Sequence, residues 1–244
     1  GEGAYIHNLD AFWGHYWKNP DGSDPDGLGW RMKYNMENRG DVYATHGLGP
    51  VALAMDIHRG DRFTTLVAMD TKSVNGKEYV ERKTGKPCNN YRNGDHTTTL
   101  MRTARGKVVE IQHNVMTPQP YNRLFKLTGT KGYATKYPTP EFALSAEGAK
   151  IAGAPQMDNL NAHGFVTAEQ REMLMEAYCH PLITKFGEMG LAPNGTDRRL
   201  VFQRKHNRAF AQKRGHSGVS PERIFRPFLG AQKGARSGER NSPP

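Results

Sequence analysis

The segment with the clearest chemical potential is "RGDVYATHGLGPVALAMDI", Arg39–Ile57. Tyr43 and His46 sit three residues apart, just ahead of a Gly-Leu-Gly-Pro run. An imidazole of ordinary pKa trades protons near neutral pH, and a phenol beside it can donate or accept a hydrogen bond. Glycines there would let a ligand approach the backbone, and a helix N-terminus favours negative charge. The same residues also read as structural, with His46 closing a loop-to-helix junction. "GAYIH" at Gly3–His7 is equally two-sided. Tyr5 and His7 alternate with Ile6 as on a strand, and polar tips satisfied by backbone would account for them.

Other chemistries find less support. His46-Gly47-Leu48-Gly49-Pro50 has two glycines where a dinucleotide fingerprint needs three, and no acidic residue closes a βαβ unit. Ten His and two Cys, Cys88 and Cys179, fall into no HExxH, CxxC or HxH spacing, so no metal site is expected. No GxSxG elbow points to acyl transfer. The two Arg-Gly-Asp triplets, at Arg39 and Arg59, read as turn chemistry.

The elements that must carry these residues can be read from periodicity. Asn, Asp, Gly, Ser and Pro make Lys18–Gly29 a surface loop. Val51, Ala54, Met55 and His58 recur at helical spacing, with Pro50 at the start and Gly60 at the stop, which predicts a short helix over about Pro50–Arg59. From Arg62 the period changes. Arg62–Asp70, Thr97–Met116 and Asn122–Thr135 are rich in β-branched and aromatic residues, with turn signals at Asn75-Gly76, Asn93-Gly94-Asp95, Ala104-Arg105-Gly106 and Gly129–Gly132. They predict an antiparallel meander. Val109, Ile111, His113 and Val115 alternate with Val108, Glu110, Gln112 and Asn114, so one sheet face should pack against helices. Thr167–Gly190 reads as a helix with Thr167 as N-cap and Gln170 three residues on. Leu174, Tyr178, Leu182 and Phe186 form its stripe, and Pro181 should kink or divide it.

The 244 residues carry a formal charge of +10, and that charge is unevenly placed. Ala192–Pro244 holds twelve Lys and Arg against three acids; the other 191 residues hold 22 basic and 21 acidic groups. The basic stretch lacks any sustained period and is expected to be disordered. It also lacks the interleaved Tyr and Trp of a nucleic-acid stacking platform, so binding through a basic tail is the weakest of the functional readings. No apolar run is long enough for a transmembrane helix, so no membrane role is expected. No leader is visible at Gly1, which reads as a trimmed start or a piece of a longer chain.

Several segments together carry a more specific signal. "EGAYIHNL", "WRMKYN", "VYATHGLGPVALAMDI", "GDRFTTLVAMDT", "NGDHTTTLMRTARGKVVEIQHNV" and "QPYNRLFKLTGTKGYA" resemble glycoside hydrolase family 109, in order and continuously from about Gly1 to Gly190. These are NAD-dependent α-N-acetylgalactosaminidases of the Gfo/Idh/MocA group. The resemblance implies an α/β domain (α+β) with a mainly antiparallel sheet and helices on one face, lacking the Rossmann domain that precedes it in the family. Residues 1–190 would be this substrate-side domain and 191–244 a basic tail that departs from the family, as an out-of-frame or unrelated reading. The implied partners are an N-acetylgalactosamine-terminated glycan and the missing N-terminal Rossmann domain. The implied cofactor is NAD. The implied chemistry is redox-assisted elimination, which needs no carboxylate pair at glycosidase spacing. Carried over residue by residue, the sugar-contacting set is Tyr5, Tyr43, Ala44, Thr45, His46 and Tyr121. Within it, Tyr43 and His46 are the catalytic acid/base pair and Tyr121 orients the sugar. Arg31 reaches the NAD, and His7 supports the structure. The resemblance loosely implies export to the periplasm, though the sequence itself leaves localisation unknown. The alternative within the same superfamily is a sugar oxidoreductase that stops after hydride transfer. The fragment by itself is expected to be inactive.

Overall fold

A computed structural model of the protein describes residues 1–13, 21–153, 162–182 and 185. The β-branched and aromatic runs form seven strands: β1 (Glu2–Ile6), β2 (Phe63–Asp70), β3 (Thr97–Thr103), β4 (Val108–Asn114), β5 (Lys126–Gly129), β6 (Gly132–Thr135) and β7 (Glu141–Leu144). They make one sheet in the order β2-β3-β4-β1-β5-β6-β7. Every pairing is antiparallel except β1 with β4, which run parallel. The expected α/β class with a mainly antiparallel sheet is therefore the observed one. Tight turns close β3–β4 at Ala104–Gly106 and β5–β6 at Gly129–Gly132, where the glycine signals had placed them.

Among the described residues five α-helices accompany the sheet: α1 (Gly29–Glu37), α2 (Ala44–Ala54), α3 (Asn75–Thr84), α4 (Ala146–Ile151) and α5 (Ala168–Ala177). Helix α2 lies on β1 and β4. Alternation decides the faces. Thr97, Thr99, Met101, Thr103, Val109, Ile111 and His113 point inward and are buried. Val67, Met69, Leu100 and Val108 are exposed, and β2 pairs with β3 in register Val67↔Leu100 and Met69↔Thr98. Helices thus pack on one face, as the alternation predicted.

Three apolar clusters hold these layers together. Tyr5, Leu9, Trp13, Met32, Tyr79, Val80 and Val115 join α1 and α3 to the C-terminal ends of β1 and β4. Val51, Met55, Met101, Val109, Ile111 and Leu127 seat α2 on the sheet. Leu144, Ala149, Val166 and Leu174 join α4 and α5 to β7.

Three expectations need correction. The helix read as about Pro50–Arg59 begins earlier, at Ala44, and Pro50 lies inside it. Proline removes one amide bond and crowds the preceding turn. Pro50 is exposed, and burial of Gly47, Val51 and Ala54 against the sheet outweighs that defect. The Gly-Leu-Gly-Pro run is consequently helical and is not a loop. Asn75-Gly76, read as a turn, opens α3. Its first amides are taken by Asp95: Val74 N and Asn75 N donate to Oδ2 at 3.0 and 2.9 Å, and Gly76 N donates to Oδ1 at 3.1 Å. The helix from Thr167 has the expected capping box, with Gln170 N donating to Thr167 Oγ1 at 3.2 Å and Thr167 N donating to Gln170 Oε1 at 2.9 Å. It is divided as Pro181 led one to expect: α5 ends at Ala177, and helical backbone resumes at Pro181 and Leu182. Leu174 and Tyr178 join the third cluster, but Leu182 is 52% exposed. Phe186, part of the loop from Lys18, and the basic tail 191–244 with its expected disorder lie outside the described residues.

Candidate active site

Parallel pairing of β1 and β4 brings their C-terminal ends to one edge, with Tyr5 and His113 as register partners on the inner face. Helix α2 reaches this edge because two glycines let it sit down: a Cβ on Gly3 would lie 2.1 Å from Gly47 O, and one on Gly47 would lie 2.8 Å from Ala4 N. That close approach puts the first turn of α2 over Tyr5. The His46 ring stacks on Tyr5 at 4.6 Å between centroids, and Tyr43, the N-cap residue, lies 4.9 Å from it. Two bonds fix the turn: Tyr43 N donates to Asp41 Oδ1 at 2.9 Å, and His46 N donates to Tyr43 O at 3.1 Å.

The opposite wall is the segment leading into β5. Asn122 exchanges backbone bonds with Ile6 at 2.9 and 3.2 Å, and Ala4 N donates to Arg123 O at 2.9 Å. Tyr121 and Arg123, two residues apart on this extended segment, both reach the cluster. Arg123 Nε donates to Tyr121 Oη at 2.8 Å, and the guanidinium lies over Tyr5 at 4.2 Å and over Tyr121 at 4.8 Å. The His7 and Tyr121 rings meet edge-on at 5.4 Å, and Tyr137 lies 5.7 Å beyond Tyr121. Arg31 projects from α1 over Tyr43 at 4.8 Å.

The electrostatics separate these groups by role. Burial pushes the Tyr43 phenol up to about 12, against the pull of Arg31, so it is a proton donor near neutral pH. Burial, helped by Arg123 and Arg31, lowers His46, which therefore stays neutral and can accept a proton. His7 falls to about 4 through burial and the charges of Arg123, His46 and Arg31. At Tyr121 burial opposes ionisation, but the Arg123 bond and charge outweigh it and bring the phenol below its usual value. Asp41 is raised to about 6 by burial, which its bond from Tyr43 N only partly offsets.

The site residues read from the sequence lie together here: Tyr5, Tyr43, His46 and Arg31 are linked through rings or a guanidinium, and Tyr121 joins them through Arg123 and His7. Ala44 and Thr45 are the first two residues of α2, between the two catalytic candidates, and Thr45 is exposed. His7, read as support, faces Tyr5 at 4.8 Å. Sequence reasoning missed three members. His113, whose ring is 5.6 Å from Tyr43, was hidden among apolar neighbours on its strand. Arg123 and Tyr137 carry no motif; only the strand spacing from Tyr121 to Arg123 could have drawn attention to the arginine. Among the described residues no group of three His, Cys, Asp or Glu could hold a metal ion. Nor do those residues form a glycine-rich strand-to-helix turn for a pyrophosphate.

Residues 1–199 match the family described as "Glycosyl hydrolase 109, C-terminal domain". "Glycosyl hydrolase family 109 protein 3" of Phocaeicola vulgatus is 73% identical over 191 residues, covering 78% of this chain and 35% of that protein. Protein 5 of the same family and organism is 61% identical over 209 residues, covering 82% and 40%. Protein 1 of Bacteroides thetaiotaomicron is 47% identical over 208 residues, covering 82% and 42%. The chain spans 35% to 42% of the length of these curated relatives.

Proposed function

The chain belongs to glycosyl hydrolase family 109, as its C-terminal domain, and from that premise we propose that it forms the sugar side of an α-N-acetylgalactosaminidase that works with NAD. The observation that carries this reading is the convergence of Tyr5, Tyr43, His46 and Tyr121 on one edge of the sheet, with Arg31 beside them. Aromatic faces suit the C–H faces of a pyranose, and the phenols and imidazole supply hydrogen bonds to its hydroxyls. When bound, NAD+ would supply hydride removal at C3 of the sugar, and its later return, which acidifies the proton on C2.

His46, neutral and exposed, takes the C2 proton. Tyr43, held protonated, gives its proton to the departing glycosidic oxygen. Their ring centroids are 6.4 Å apart. Tyr5 forms the floor and Tyr121 orients the sugar. Arg31 fits the cofactor as a cation for its phosphates. The remaining contacts to a dinucleotide must come from outside this chain, and the chain alone is expected to be inactive. The glycan end-group and the NAD-binding domain are its proposed partners.

The test fuses this chain behind the N-terminal portion of the Phocaeicola vulgatus relative and assays aryl α-N-acetylgalactosaminide. Aglycone release that requires NAD+ supports the reading. Oxidation of the sugar without aglycone release moves the protein to the sugar oxidoreductases, and turnover by the unfused chain overturns the division of labour.

A further inference from the structure

Arg123 is half-buried beside the sugar-side aromatics, and among the described residues no anion answers its charge. Among the described residues no carboxylate pairs with it, although eight other ion pairs are formed by Lys and Arg side chains. Its Nε is used on Tyr121, and its Nη1 is buried with no hydrogen-bond partner. A buried, unanswered guanidinium nitrogen is unfavourable, so such groups call for an explanation. Packing supplies part of it: Tyr5 and Tyr121 hold the cation against their faces.

The backbone gives a second, independent sign. The two residues after Arg123 both have left-handed conformations, Leu124 at φ 56° and Phe125 at φ 49°. Side chains with a Cβ rarely adopt that region, and two in succession persist only where the surroundings impose them. They are imposed here: Asn122 Oδ1 accepts from Leu124 N at 2.7 Å, and Arg123 O accepts from both Ala4 N and Phe125 N. The bend holds Arg123 in place at the mouth of the cluster.

We propose that Arg123 is a further catalytic residue, donating from Nη1 to the sugar oxygen on C3 that becomes negative as the C2 proton leaves. This deepens the reading above and rests on it. In that step the C2–H bond breaks and its proton goes to His46. The electron pair forms C2=C3, and the C3 carbonyl pair moves onto oxygen. The guanidinium transfers no proton; it answers the new charge where that charge develops. Its own charge falls on the proton acceptor as well: burial lowers His46 first, and the charges of Arg123 and Arg31 add to it.

The experiment compares wild type with Arg123→Gln and Arg123→Lys, with circular dichroism as the check on folding. In the full chain, histidine ring resonances are followed against pH. The His46 and His7 midpoints should rise in Arg123→Gln and stay low in Arg123→Lys. Nitrate, a small planar anion, should shift the His46 and Tyr5 resonances in wild type and leave Arg123→Gln unmoved. In the fused enzyme, Arg123→Gln should lower kcat by about 10²–10³ with KM unchanged, the scale for a lost oxyanion donor. Arg123→Lys, which keeps the charge and loses the fork, should recover part of that rate. Unmoved histidine midpoints in a folded Arg123→Gln, or no nitrate response in wild type, overturn the proposal, as does an effect confined to KM. If the fused wild type ignores the sugar, the reading of function fails while the titration and nitrate results still judge Arg123.

Discussion

At the residue scale the proposed mechanism divides proton traffic between two side chains with opposite tendencies. Tyr43 is held protonated and His46 neutral, each chiefly by burial. In the fused enzyme, His46→Asn and Tyr43→Phe should each lower kcat by about 10²–10⁴ with little change in KM. Activity that needs neutral His46 is lost as pH falls through the imidazole pKa, which lies below its ordinary 6.5. The acidic limb of kcat/KM should therefore sit below pH 6.5; a limb above pH 7 would remove His46 as the base. These two residues were legible from their types and spacing within Tyr43–His46. Arg123 was not, because its importance comes from what surrounds it and no local pattern records that.

At the element scale the decisive contact is backbone to backbone. Gly3 and Gly47 let α2 descend onto β1, and the descent stacks His46 on Tyr5. Gly47→Ala should destabilise the chain by about 1–3 kcal/mol, since the added methyl meets backbone that cannot swing aside. Gly49 is different. It lies in the same helix with nothing within 4 Å of its would-be Cβ, so Gly49→Ala should stabilise by about 0.5–1 kcal/mol. Urea midpoints of the pair check both; equal effects would refute the close-approach argument. Helix α3 depends on Asp95 in a comparable way. Asp95→Ala strips three backbone amides of their acceptor and should cost about 1–3 kcal/mol, read from the same midpoints. Strand positions were readable because period-2 alternation and turn residues act locally. The start of α2 was not, because a helix interior that contains Gly, Gly and Pro forms only with a sheet to pack on.

At the scale of the whole molecule, the packing of α1, α2 and α3 over β1 and β4 encloses groups that would ionise in water. His113 is 1% exposed, neither ring nitrogen has a hydrogen-bond partner, and burial lowers its pKa to about 3. His7 falls to about 4. Both lie below the unfolded value of about 6.5, so the unfolded chain binds more protons beneath that pH. Stability from these histidines is complete above pH 6.5 and is lost as pH falls toward 4, at up to about 1.4 kcal/mol per pH unit for each. His113→Leu should flatten that fall while leaving stability at pH 7 unchanged or raised; an identical acid transition in the variant would show that His113 does not drive it. The sequence by itself determined the strand pattern except for β7, the capping box at Thr167, the separation of a near-neutral body from a basic tail, and the residues that resemble a family's sugar-binding set. Each follows from periodicity, side-chain type or local hydrogen bonding. The tertiary structure alone decided that β1 pairs parallel with β4, that α2 begins at Ala44, and that Arg123 and His113 join the site. Those outcomes depend on contacts between residues far apart in the chain, where burial and close packing, not local preference, set the lowest free energy.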